Sequence, residues 1–153
     1  MFFRLVVALV LGALLGLERE LVGKEAGVRT EMLVAGGAAI FSMIGLMLPY
    51  ISAMSSGAVP DMASQNSAFS VIANIVIGIG FLGAGLIIKT GDRPHGITTA
   101  ALVWTTAAIG VLVGIGMITF AAVAAILITV LLYLLRKLDI AERIEKTMQE
   151  NTR

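Results

Sequence analysis

Cysteine is absent from the 153 residues, which excludes disulfides, thiolate metal sites and cysteine nucleophiles. Histidine occurs once, at His95 beside Pro94, so no pair of imidazoles can hold a metal; this reads as an ordinary loop residue. Charge is scarce too: 14% of residues are charged, against roughly a quarter in soluble domains. From His95 to Tyr133 there is no Asp, Glu, Lys or Arg. What fills the gap is apolar, 58% of the chain with a mean hydropathy of +0.98, more than a globule this small can hide from water. The chain reads as an all-α integral membrane protein.

Hydropathy divides it into five spans, 2–21, 32–51, 69–88, 97–116 and 117–135, with a short amphipathic tail over 137–153 marked by Ile140, Ile144 and Met148 at helical spacing. At about 20 apolar residues per crossing, the charge-free run holds two helices. As one helix it would reach roughly 60 Å, twice the hydrocarbon thickness. Gly110, Gly114 and Gly116 interrupt the run and offer a turn. The start, with Arg4 before an apolar stretch, resembles a signal peptide, but Glu18-Arg19-Glu20 follows directly without a small-residue cleavage site. An uncleaved first span is expected.

Basic residues give the orientation, because Lys and Arg are retained on the cytoplasmic side. Arg19, Lys24 and Arg29 fall between spans one and two, Lys89 and Arg93 between three and four, and Arg136, Lys137, Arg143, Lys146 and Arg153 after span five. Ten of the eleven therefore share one side, with Arg4 alone opposite. The 52–68 connection has a single acid, Asp61, and no base, as suits an external loop. The expected topology is N-terminus outside and C-terminus in the cytoplasm.

An offset of 69 residues aligns Gly27, Thr30, Leu33, Val34, Ala38, Ala39, Ile40 and Gly45 with Gly96, Thr99, Leu102, Val103, Ala107, Ala108, Ile109 and Gly114, eight identities in nineteen positions. Gly16-Leu17 falls on Gly85-Leu86 at the same offset. A duplication would repeat spans one and two as three and four in parallel, about an axis along the membrane normal; biased composition is the competing explanation.

Lipid gives no hydrophobic drive for helix association, so close contact at small residues takes its place. Ala8, Gly12 and Gly16 form such a stripe on span one; Gly78, Gly80, Gly83 and Gly85 line span three with Asn74; Thr99, Thr106 and Gly110 share a face of span four. A bundle built chiefly from spans one, three and four is expected. The Gly12/Gly16 face also fits a homodimer, unless one subunit uses it internally.

Gly78-Ile79-Gly80-Phe81-Leu82-Gly83 matches a dinucleotide fingerprint in form only, since no strand precedes it and Asp92 follows too early. No nucleophile, base and metal set is present, so neither an enzyme nor a cofactor is expected, and nucleic acid is not among the expected partners. Polar residues gather instead at the cytoplasmic face: Glu18, Arg19 and Glu20 end span one, Arg29, Thr30 and Glu31 begin span two, and Thr98 and Thr99 begin span four. Two readings stand. In one, Glu18 and Arg29 close a structural ion pair and the threonines cap helix starts. In the other, Glu18, Arg19, Arg29, Thr30, Glu31, Thr98 and Thr99 face a vestibule that binds an ion or a partner, with Glu18 and Glu31 as the acids available to a metal. Asn74 either bonds to a neighbouring helix or touches a pathway.

Gly16-Leu17-Glu18-Arg19, Ala26-Gly27-Val28-Arg29-Thr30, the glycine-rich run from Gly78 to Gly85, and Gly96-Ile97-Thr98-Thr99-Ala100-Ala101 with Trp104 and Ala107-Ala108-Ile109-Gly110 resemble the MgtC/SapB family over residues 1–136. The resemblance implies a five-span inner-membrane protein linked to magnesium homeostasis and, in pathogens, to survival inside host cells. It also implies action through contacts with other membrane proteins, the ATP synthase and magnesium transporters among them, rather than the older label of transporter subunit. Glu31 stands where many relatives carry histidine, Ser70 where many carry arginine, and Thr98 and Thr105 where the virulence-associated branch has asparagine and cysteine, so that branch's specific activity does not carry over. Many relatives continue into a cytoplasmic domain, which makes this chain either a short member or part of a longer one. A regulator that contacts membrane proteins is the favoured function; a transporter or channel subunit for Mg²⁺ or another small ion is the alternative, because magnesium needs converging oxygen ligands and the interiors of the spans offer no carboxylate.

Overall fold

The computed structural model describes residues 1–57, 62–90 and 93–151. Five helices account for nearly all of it: α1 (Phe2–Leu21), α2 (Val28–Ser56), α3 (Met62–Leu86), α4 (Ile97–Ile115) and α5 (Ile118–Asn151). Between α3 and α4 sits a small antiparallel hairpin of β1 (Ile88–Thr90) and β2 (Arg93–His95), with Ile88 opposite His95. His95 is therefore a strand residue rather than a loop residue.

Among the described residues four helices carry stretches long and apolar enough to cross a bilayer: Val28–Ser55, Phe69–Leu86, Ile97–Ile115 and Ile118–Leu138. α1 matches them in length, 20 residues, but holds Arg4, Glu18, Arg19 and Glu20. Large apolar side chains cover the outside, among them Phe69, Ile77 and Phe81 on α3 and Phe120, Leu127 and Leu131 on α5. Water would not tolerate such a belt; lipid solvates it. The molecule is a multi-pass membrane protein in contact with the bilayer.

Helices outrun the hydropathy windows at several ends. α2 begins at Val28 rather than 32 and runs to Ser56, and α3 begins at Met62 rather than 69, because Ser, Gln and Asn weaken hydropathy without breaking a helix. Most of the connection expected over 52–68 is thus helical, while its centre, 58–61 with Asp61, lies outside the described residues. α2 also carries Pro49 inside it, tolerated because membrane helices can re-satisfy the carbonyl that proline leaves unpaired. α5 continues without a break through the tail to Asn151.

The core lies between α1, α2 and α4. Ala8, Leu11 and Leu15 of α1, Ala39 of α2, and Leu102, Ile109 and Val113 of α4 are buried together, with Ala121 and Ala125 of α5 closing one side. α3 lies at the periphery against α2 and α4, which corrects the expectation of a bundle centred on spans one, three and four. The reason is where the glycines point. A methyl group built on Gly12 would stand 2.5 Å from the Glu31 carbonyl, and one on Gly16 would stand 2.6 Å from Val28 Cα. On α4, Gly110 presses equally hard on the Ala35 backbone, and Gly114 would place its methyl 2.7 Å from the Ala39 carbonyl. Gly78, Gly80 and Gly85 of α3 meet nothing within 4 Å, and Gly83 reaches only ordinary contact with Ala100. Gly85, the counterpart of Gly16 at the 69-residue offset, therefore does not repeat its role.

The turn in the charge-free run is made by Gly116 alone. It adopts φ 101°, and Met117 N–H bonds to the Leu112 carbonyl at 2.8 Å while Gly116 N–H reaches Val113, the Schellman closure that glycine permits at low strain. Arg4 completes that end, donating from Nη1 to the Gly114 carbonyl at 2.9 Å and placing a cation at the negative pole of α4. The one basic residue assigned to the opposite side thus has a structural task there.

Candidate functional site

The close contacts fix the registers from which the site follows. α2 and α4 run parallel, Ala35 on Gly110 and Ala39 on Gly114. One turn earlier on both helices, the same offset sets Glu31 against Thr106. α1 runs antiparallel to α2, so that Gly12 lies on Glu31 and Gly16 on Val28; beyond Gly16, Glu18 and Arg19 turn into the same junction. By this register α2 starts about six residues deeper than α4, roughly 9 Å at 1.5 Å per residue. The 22–27 segment folds back into the space this leaves, with Ala26 fully buried.

The result is a buried polar cluster under that segment. Glu18 and Arg19 are 7% and 6% exposed, and Glu31, Thr99 and Thr106 are 0 to 2% exposed. Arg19 Nε donates to Glu18 Oε2. Thr106 faces the Glu31 carboxyl at the edge of hydrogen-bonding reach and Arg19 acts on it by charge, yet neither Glu31 oxygen nor the Thr106 hydroxyl makes a hydrogen bond of normal geometry, and Glu18 Oε1 makes none either. Thr99 donates weakly to Glu25 Oε2 at 3.5 Å, and the Val28 amide that opens α2 donates to Glu20 Oε2 at 2.9 Å.

The residues expected to form one vestibule are therefore divided. Glu18, Arg19, Glu31 and Thr99 are enclosed among α1, α2 and α4, whereas Arg29, Thr30 and Thr98 are exposed. The ion pair expected between Glu18 and Arg29 is replaced by Glu18–Arg19, because Arg29 points away from the core. The threonines do not cap: the capping positions of α2 and α4 are Gly27 and Gly96, which have no side chain to bond with, and the threonines fall inside the first turn. Asn74 is exposed, and with Arg29, Thr30, Leu33 and Phe41 it borders an apolar groove of about 710 Å³ between α2 and α3. The face carrying Gly12 and Gly16 is occupied by α2 of the same chain. Thr106 is the cluster residue that sequence reasoning treated as packing alone; its place four residues before Gly110, on the face that meets α2, was the available signal.

The model of the MgtC family matches residues 5–140. The chain belongs to that family. Its similarity extends to a protein named Protein MgtC from Brucella abortus, 45% identical over 131 residues, which cover 86% of this chain and 49% of that protein. A second, also named Protein MgtC and from Salmonella typhimurium, is 42% identical over 142 residues, covering 93% of this chain and 54% of the other. The chain spans about half the length of these family members. No solved structure matches it.

Proposed function

We propose that this chain is a non-enzymatic regulator linked to magnesium homeostasis, seated in a bacterial inner membrane with its N-terminus outside and its C-terminus in the cytoplasm, and acting by contact with other membrane proteins. The observation that carries this reading is α3. It is long enough to span the bilayer, and it leaves room for another helix: Asn74 and Gly78 border the open groove beside α2, and Gly78, Gly80 and Gly85 are uncovered by any other part of the chain. Small residues let a second helix approach closely, and an amide in lipid gains by bonding across to it. The groove beside α3 is lined almost wholly by apolar side chains, a surface suited to a helix and poorly suited to a hydrated divalent ion.

Transport is the second reading, favoured by the carboxylates of Glu18 and Glu31 buried between the helices. Magnesium flux into liposomes holding the purified protein separates the two. The regulator gives flux no greater than protein-free liposomes, in the wild type and in Glu18→Gln alike. Flux that depends on Glu18 removes the regulatory reading.

A further inference from the structure

We infer that the junction of α1, α2 and α4 is a binding site for one dehydrated alkali-metal cation, held by Glu31, Glu18 and Thr106. Four buried side-chain atoms among the described residues make no hydrogen bond of normal geometry: Glu18 Oε1, both oxygens of Glu31 and Thr106 Oγ1. All four belong to one locus, since Arg19 is bonded to Glu18 and bears, with Thr106, on Glu31. Buried polar atoms are ordinarily paired, and an unpaired group in a low dielectric is costly. Here the unpaired atoms are all oxygens.

Thr106 sharpens the argument. Three other hydroxyls in these helices return to the carbonyl four residues earlier: Ser42 to Ala38 at 2.7 Å, Thr105 to Ala101 at 2.8 Å and Thr129 to Ala125 at 2.8 Å. Thr106 does not. Its hydroxyl faces the Glu31 carboxyl instead, which leaves its oxygen beside the carboxylate to meet a cation.

Counting charge selects the ion. With Glu31 ionised, two carboxylates and one guanidinium leave a single negative charge enclosed in the junction, which one monovalent cation neutralises. A divalent ion would reverse the sign, and magnesium keeps several waters and a strict octahedron, which a fully buried Glu31 does not provide. Sodium gives up its water to carboxylate and hydroxyl oxygens more readily. The inference stands apart from the regulatory reading, because a cation here serves a regulator or a transporter equally, and binding is read separately from flux.

The test is the thermal melt of the purified chain in detergent, in NaCl, in choline chloride and in MgCl₂ at matched ionic strength, together with ²³Na line broadening. Sodium is expected to raise Tm by about 5 °C at a hundredfold excess over its Kd and to show a broadened ²³Na line. Thr106→Val should weaken the apparent sodium affinity about tenfold, and Glu31→Gln should abolish the sodium effect. If Glu31→Gln does not fold, Thr106→Val and the wild-type ²³Na line still decide. Equal melts in sodium and choline overturn the inference, as does a sodium effect that survives in Glu31→Gln. So does a melt that responds to pH but not to sodium, which would mean that a proton supplies the charge, or one that responds to Mg²⁺ alone.

Discussion

Arg19 is the residue on which the polar junction turns. Its Nε–H is the partner of Glu18, and both side chains are withdrawn from solvent. Removing one member of a buried pair strands the other, a loss of about 3 to 5 kcal/mol, whereas replacing both by uncharged groups of similar volume is far milder. Arg19→Met is expected to destabilise the protein by that amount, and Arg19→Met with Glu18→Gln by much less; thermal unfolding in detergent measures both. Glycine positions divide just as sharply. Gly110→Ala drives a methyl into the Ala35 backbone and should lower stability by about 1 to 3 kcal/mol. Gly80→Ala enters open space and should leave the melt unchanged or raise stability by up to about 1 kcal/mol, since alanine is the better helix former.

At the scale of the element, α3 and α4 show what apolar composition conveys and what it hides. Both are glycine-rich and long enough to span, but α4 is threaded into the core through Gly110 and Gly114, while α3 leaves Gly78, Gly80 and Gly85 uncovered. Gly80→Leu on α3 should therefore leave the melt within about 0.5 kcal/mol of wild type while reducing the crosslink that a cysteine placed at Ile77 forms to neighbours in native membranes. Undiminished crosslinking would deny α3 its proposed role. Five helices, a glycine turn within the charge-free run and a close contact along Gly12 and Gly16 could be read from the sequence, because lipid imposes length and small residues mark close approach; that Gly116 rather than Gly110 or Gly114 makes the turn could not. Which glycines face inward could not, since hydropathy is nearly uniform around these helices and amphipathic contrast, the usual guide to a buried face, is missing. For the same reason Glu18, Arg19 and Glu31 stood out as charges at helix ends, while Thr106, the second of two adjacent threonines in an otherwise apolar run, did not declare its depth.

For the whole molecule, the two ends of the bundle differ in kind. One carries the buried junction, the 22–27 segment and the basic residues of the connections; at the other, α2 ends at Ser56 and α4 and α5 are joined by the turn at Gly116. The absence of native cysteine makes orientation directly measurable. Met54→Cys, at a position 87% exposed, should react with an impermeant maleimide added outside intact cells, and Lys24→Cys only after permeabilisation; the opposite pattern would invert the proposed topology.

The bond from Arg4 to the Gly114 carbonyl joins residues 110 apart in the chain, and that separation sets an order of events during biosynthesis. At translation rates of 5 to 20 residues per second, Arg4 waits about 6 to 22 s for its acceptor to leave the ribosome. Until then its charge must stay hydrated at the rim of the bilayer, so the first helix enters lipid early and docks late.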